Sequence, residues 1–429
     1  MAAIPRDSGF DKTLSLLADP YRFVSKRCRL YGTDVFETRL MLRRAICTMG
    51  EEAASVFYHP NRFTRRGALP LTALLLLQDK GSAAVLDGDA HRHRKRLMMS
   101  MMSPSRVHDL ASAFIDAWHQ RAERWEAARH VVLAAEVPHV LTRAVCAWAG
   151  IQVSDEEADQ RTRELVAMYE GAGAVGPRNW RGQVLRSRTE RWARDLITRV
   201  RRGELAAPPN SALDVIATHR ELDGQLMATR HAAVELINIL RPTTAVERYI
   251  TFAAHALAVN PASRAVLETD DGDEYLDWFV QEVRRFYPFF PLVGGRALTG
   301  FEWRGHEFPK GTWMLLDLYG TNHDPRTWDD PDVFRPERFG TWNGSPFTLI
   351  PQGGGDHLAN HRCAGEAVTL ELMKCAVRLL TRTLHYTIPE QDLTVDMSRM
   401  PAVPRSRFVM TNVRQAETAS VAPTPLPVA

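Results

Sequence analysis

At 429 residues and 45% hydrophobic content the chain can bury a sizeable core as one large or two ordinary domains, which excludes a disordered polymer. Its 54 basic and 51 acidic residues leave a formal charge of +3, a near balance that points away from nucleic acid and toward a small-molecule ligand. No run reaches the roughly 18 apolar residues needed to span a bilayer, and the first twenty residues lack the order of a secretory signal. A soluble, cytoplasmic protein without membrane contact is therefore expected.

Helical periodicity dominates residues 10 to 290 and is clearest in RVHDLASAFIDAWHQRAERWEAA, RSRTERWARDLITRVRRGEL and EYLDWFVQEVRRFY. GAGAVG, residues 171 to 176, imitates a dinucleotide fingerprint, with Asp195 about 20 residues on where an acid is wanted. It follows a helical stretch and not a strand, so the glycines are read as a loop between helices. Residues 234 to 259 form one long, almost wholly apolar helix that carries Arg241 and Pro242; the proline ring clashes with the carbonyl at 238, which predicts a kink at Asn238. Strand-like alternation is confined mainly to residues 295 to 320. A Gly-rich loop follows at 352 to 356, then a last long helix from about 364 to 383. The expected organisation is one domain over residues 1–412, mostly α with a small β region, and a disordered Ala/Pro/Thr-rich tail over 413–429.

The five cysteines, Cys28, Cys47, Cys146, Cys363 and Cys375, are odd in number and scattered, which argues against a disulfide framework. Cys363 stands in the chemically densest stretch, PQGGGDHLANHRCAGEAVTLELMK, and two readings fit it. With His357 and His361 it could ligate zinc. Alternatively its thiolate, placed just before a helix whose first amides are unpaired, could ligate haem iron, and Gly365 would let a porphyrin face approach the backbone.

Read with three other segments, this loop resembles the cytochrome P450 superfamily. Glu282-Val283-Arg284-Arg285 matches its ExxR motif, Phe334-Arg335-Pro336-Glu337-Arg338-Phe339 matches the coil that follows, and Cys363-Ala364-Gly365-Glu366 matches the cysteine loop. The commoner form of that loop, FxxGxRxCxG, would want Phe, Gly and Arg where Asp356, Ala359 and His361 stand here. The lengthened Gln352-Gly353-Gly354-Gly355-Asp356 is instead similar to the fatty-acid peroxygenase branch, and the similarity extends over most of the chain. The resemblance implies the P450 fold, haem b with Cys363 as axial ligand of the iron, and Glu282 and Arg285 tying their helix to the coil behind the haem.

Most members of the superfamily are implied to hold an acid–alcohol pair in the long helix, where this chain has Arg241-Pro242. Arginine stays protonated and cannot deliver protons. It could pair with Glu235 or Glu247, but a charge buried for structure alone is expensive. It could instead grip a ligand carboxylate in bidentate fashion, with Pro242 opening space beside it. A long-chain fatty acid held by Arg241 would then bring the missing acid–base group for cleaving hydrogen peroxide and be hydroxylated at the α or β carbon, with no obligatory reductase. The rivals are an O2-dependent monooxygenase with external redox partners, a decarboxylase forming terminal alkenes, and a haem sensor or carrier without turnover.

The supporting residues follow from the same resemblance. His91 and Lys95, one helical turn apart, are expected to face the haem propionates, with Arg66 and its neighbour Arg65 as weaker candidates and His361 also beside the cofactor. Phe289, Phe290 and Leu292 resemble residues that line the acyl channel. Ala84 stands where this branch typically has Gln in hydroxylases or His in a decarboxylating member, and with no proton donor there hydroxylation is the expected main outcome.

Overall fold

The computed structural model describes residues 3–269 and 272–416. Its helices start where the sequence supplies caps. The Ser103 hydroxyl accepts the Arg106 amide at the head of Pro104–Glu126, and the Ser154 hydroxyl accepts the Glu157 amide at the head of Asp155–Ala172, whose first turn holds Asp155, Glu156 and Glu157. In Pro104–Glu126, Val107, Leu110, Phe114, Trp118 and Trp125 recur at helical spacing and are all buried. They join the apolar faces of Leu133–Trp148, Thr229–Thr244, Glu247–Val259 and Glu366–Arg378 in the main core.

The β structure is small and lies to one side. A five-stranded sheet runs in the order Val35–Leu40, Arg43–Thr48, Trp313–Asp317, Leu292–Ala297, Phe63–Thr64, with Arg43–Thr48 parallel to Trp313–Asp317 and the other pairs antiparallel. The fold is thus mostly α with a small β region, as expected, although the first two strands fall where helix was read. The last strand, Val409–Gln415, pairs with Leu384–Thr387 and Val131–Val132. It carries the ordered chain past 412, where a tail from 413 was expected, because Val413 is buried in the main core. The rest of that expected tail, residues 417–429, lies outside the described residues.

GAGAVG is a turn between the helices Asp155–Ala172 and Pro177–Arg201, and Asp195 faces its own helix, 3.5 Å from Arg199. Gly171 serves close helix packing: a Cβ there would stand 3.0 Å from the Arg178 carbonyl. No nucleotide site is built from it.

The apolar run at 234–259 is two helices, Thr229–Thr244 and Glu247–Val259. The interruption falls at Ala245–Val246, not at Asn238. The turn after Pro242 tightens, with the Val246 and Arg248 amides donating three residues back to Thr243 (3.2 Å) and Ala245 (3.2 Å). The Thr243 and Thr244 hydroxyls donate back to the Ile239 (2.9 Å) and Leu240 (3.0 Å) carbonyls and keep the preceding turn helical. No helix among the described residues is long and apolar enough to cross a membrane.

One buried carboxyl makes the fold pH-sensitive. Asp317 caps the short helix Leu318–Asn322, and burial pushes its pKa up to about 7 against the pull of the Gly320 and Ser25 amides. A folded-state value above the unfolded one means that its contribution is full below about pH 4 and is lost as pH rises toward 7. Asp317→Asn keeps the cap without the charge. Urea midpoints should therefore show the variant gaining roughly 2–4 kcal/mol on the parent between pH 4 and pH 8; a difference independent of pH would contradict this.

Candidate active site

Cys363 alone among the five cysteines is not fully buried. It precedes the helix Glu366–Arg378, so the Gly365 amide bonds its sulfur, and the Gln352 side-chain amide approaches Sγ at 3.8 Å. Burial and the Glu366 charge push the thiol pKa up, while Lys95, the Gly365 amide and Arg284 oppose them. Gln352 is held in turn: its Oε1 accepts from Arg284 Nε at 3.2 Å, and its Nε2 also reaches Thr369 Oγ1 at 3.0 Å. Arg284 bonds Glu366, which also receives Arg362 at 2.6 Å and meets His357 at 3.1 Å. Burial would raise the Glu366 carboxyl, but Arg284 first, then His357 and Arg362, hold it far below the usual carboxylate range.

The zinc set therefore does not assemble. His357 is taken by Glu366, and His361 packs its ring on His91 at 4.1 Å; with Cys363 they do not converge as metal ligands.

Behind this loop, Glu282 and Arg285 are fully buried and joined by two parallel hydrogen bonds of 2.6 and 2.8 Å. Arg285 also donates to the carbonyls of Asn322 and Pro331, both at 3.0 Å, and Glu282 accepts the Arg335 amide at 2.8 Å. The pair thus ties the helix Glu274–Phe286 to the coil before the cysteine loop. A lone surface pair of this spacing is worth a few tenths of a kcal/mol, whereas breaking this buried one costs about 3–5 kcal/mol.

Near Cys363 several basic groups meet, none of them in an ion pair among the described residues, in a cleft whose one lining acid, Asp87, accepts from Thr64. His91, one of the buried residues of Gly88–Ser100, lines a narrow cleft with His361 and Arg65. Lys95, one turn along, is buried and donates to the Arg362 carbonyl. Burial, then Lys95 and Arg65, push the His91 pKa down to about 4, and burial followed by Arg65, His91 and Lys95 depresses His361 as well. Arg65 Nη1 donates to the Gly294 carbonyl at 2.6 Å. Arg66 does not join them: its side chain is 64% exposed and donates to the Val85 carbonyl at 2.8 Å. Of the two adjacent arginines, the one ranked second in the sequence faces inward.

Arg241 is 7% exposed, and among the described residues no carboxylate pairs with it. Glu235 is taken by Arg94 at 2.9 Å and by the Ala83 amide at 2.7 Å, and Glu247 by Arg248 at 3.0 Å and the Tyr169 hydroxyl at 3.0 Å. Arg241 Nη2 donates only to the Leu77 carbonyl, and Nε is buried without a partner. Burial first, then the charge of Arg186, push its pKa down to about 9, so it stays protonated at neutral pH. Arg186 is itself bound to Glu190 at 2.9 Å.

The remaining candidates divide. Phe289 is core: its ring packs on Tyr249 at 4.7 Å and its carbonyl accepts the Tyr21 hydroxyl at 2.9 Å. Phe290 and Leu292 are half-buried, and Ala84 sits half-buried in the short turn Ala83–Val85, next to the Ala83 amide held by Glu235. Sequence reading missed Gln352 as a partner of the sulfur and Arg284 as the group that holds Gln352, and Leu77 and Arg186 as neighbours of Arg241. Only the Gln352 position beside the glycine run hinted at any of them.

A family model described as Cytochrome P450 matches residues 273–410, from the Glu282–Arg285 helix through Cys363 to the last strand. Among curated proteins, Cytochrome P450 26C1 of Mus musculus is 25% identical over 447 residues, covering 92% of this chain and 84% of its own length. Among solved structures, cytochrome P450SP alpha (CYP152B1) in complex with (R)-ibuprofen is 47% identical, with a TM-score of 0.92 over 95% of this chain and 99% of that one. Cytochrome P450EX alpha (CYP152N1) with myristic acid is 40% identical, with a TM-score of 0.93 over 97% and 100% of the two chains. The chain belongs to the cytochrome P450 superfamily and, within it, to the fatty-acid peroxygenase branch, the CYP152 family. Membership implies haem.

The inward and outward arginines should separate in a haem-retention assay. Arg65→Ala should lower the ratio of Soret to protein absorbance after gel filtration, whereas Arg66→Ala should match the parent. The reverse order, or equal losses, would contradict the assignment of Arg65 to the cleft.

Proposed function

We propose that the protein is a haem-thiolate peroxygenase that hydroxylates long-chain fatty acids at the α or β carbon with hydrogen peroxide. The observation that carries this reading is Arg241, a buried guanidinium whose nearby carboxylates are all engaged elsewhere. Burying an unpaired charge costs several kcal/mol unless a ligand supplies the counter-charge. Two related structures hold myristic acid and ibuprofen, both carboxylic acids.

The residues around Cys363 fit haem b. Gly365 has an ordinary negative φ, so its backbone does not require glycine, and a Cβ there would meet only Cys363 Sγ at 4.0 Å; what a side chain would obstruct is the space over the sulfur. The unpaired bases His91, His361, Arg65 and Lys95 suit the two propionates. Bound haem supplies the iron at which peroxide is cleaved and from which oxygen is transferred.

The chain supplies position. Arg241 binds the fatty-acid carboxylate and fixes which carbons lie nearest the reacting oxygen. Neither threonine after Pro242 is free to shuttle protons, since the Thr243 and Thr244 hydroxyls are spent on helix carbonyls. The carboxylate of the bound substrate takes a proton from one peroxide oxygen and returns it to the other. The sum is R–H plus H2O2 giving R–OH plus water, which balances without an electron donor. Ala84 offers no proton donor beside the acyl chain, in keeping with hydroxylation.

Haem-loaded protein, hydrogen peroxide and myristic acid, with products identified by mass spectrometry, test this. 2- or 3-Hydroxymyristate without any reductase is expected. Turnover only with a reductase and NAD(P)H would sink the peroxide claim, mainly terminal alkene the hydroxylation claim, and no oxidation under either condition the enzymatic one.

Arg241→Leu should lower kcat/KM for myristate by about 30-fold to several thousandfold, corresponding to roughly 2–5 kcal/mol for one partner of a buried ion pair. The same variant should unfold at higher urea concentration, since an orphan charge has left the core. A variant that keeps turnover, or that loses both turnover and stability, would contradict the role given to this side chain.

A further inference from the structure

A second cluster lies on the outer side of the helix that carries His91 and Lys95. His93 projects from that helix toward the segment after Ala212–Thr218, where His219 and Glu221 begin a tight turn closed by the bridge between Arg220 and Leu226. The donor atoms of His93, His219 and Glu221 all lie within 4.8 Å of one another, and among the described residues this is the one such His/Cys/Asp/Glu group. We propose that His93, His219 and Glu221 form a binding site for a divalent transition-metal ion of the zinc class.

Three independent features support a site. First, His93 Nε2 meets the Arg220 carbonyl at 2.8 Å, which makes that nitrogen the donor and leaves the Nδ1 lone pair for a metal. A ring held through its second nitrogen by a carbonyl is the usual outer support of a ligating histidine. Second, His219 Nε2 is buried without a hydrogen-bond partner among the described residues. Third, Glu221 is oriented by Arg94, whose Nε reaches both carboxylate oxygens at 3.1 Å.

Arg94 is shared between Glu221 and the buried Glu235, so these three side chains leave one negative charge beside the histidines, while Arg96 and Arg220 line the opening with Asp214. Two imidazoles and a carboxylate match zinc, nickel or copper better than magnesium or calcium, which prefer oxygen donors. Tetrahedral zinc needs its ligand atoms about 3.3 Å apart. An exposed turn can close the remaining distance by rotamer changes. The opening beside the two histidines, lined also by Ser100, Asn210 and Thr218, leaves room for water as a fourth ligand. Occupancy would clamp the turn to the helix bearing His91 and Lys95.

Full-length, haem-loaded protein, stripped with a chelator, would be titrated with zinc chloride by isothermal calorimetry. One saturable equivalent is expected, together with a raised thermal midpoint. His93→Ala and His219→Ala should each weaken binding by about tenfold or more with an unchanged Soret spectrum, and His357→Ala should bind as the parent does. The absence of saturable binding, or a single equivalent unaffected by either ligand variant, would overturn the proposal.

Discussion

An unpaired guanidinium in the middle of a protein core is the constraint around which this structure is organised. Among the described residues Arg241 has no carboxylate partner, and the acids that flank it in the sequence or hold its cationic neighbour are paired with other cations. Arg94 holds Glu235, Arg248 holds Glu247, and Arg186, the nearest positive neighbour, is bound to Glu190. The Leu77 carbonyl is a neutral acceptor that a stronger, charged one can displace.

The other half of the site is built on the opposite principle. Around Cys363 the charges are paired in series, from His357 and Arg362 through Glu366 to Arg284 and then to the Gln352 amide that faces the sulfur. The Glu282–Arg285 pair fixes the coil from which that loop departs. The loop that carries the cysteine is thus paired throughout, whereas Arg241, like Arg65 of the cleft and Lys95, has no carboxylate partner among the described residues. On the proposed reading, Arg241 selects molecules with a carboxylate, while the paired charges fix how the cysteine is presented.

Much of this was legible in the sequence where the chemistry is local. Cys363 before a helix, the Glu282–Arg285 spacing and Arg241-Pro242 in an apolar run each announce themselves within a few residues. What depended on distant contacts was not. Whether Arg65 or Arg66 turns inward is set by the Gly294 carbonyl, 229 residues away from Arg65. Gln352 reads as a loop residue until Arg284, 68 residues earlier, orients it. Phe289 has the composition of a channel residue, but Tyr249 draws its ring into the core. The proline effect was placed at the carbonyl Pro242 leaves unbonded, whereas back-bonding threonines hold that turn and the helix breaks at Ala245–Val246. The strands at 35–48 escaped because VFETRL and RRAICT alternate weakly and gain their order from pairing with each other and with Trp313–Asp317.

The central claim concerns a charge that waits for its opposite, and it is tested most directly by comparing myristic acid with its methyl ester, which keep the same chain and differ in the charge of the head group. In calorimetric titration of the haem-loaded protein the acid should bind saturably and the ester at least about thirtyfold more weakly, a gap that disappears when Arg241 is replaced by leucine. Equal affinities for acid and ester in the parent protein would contradict the account.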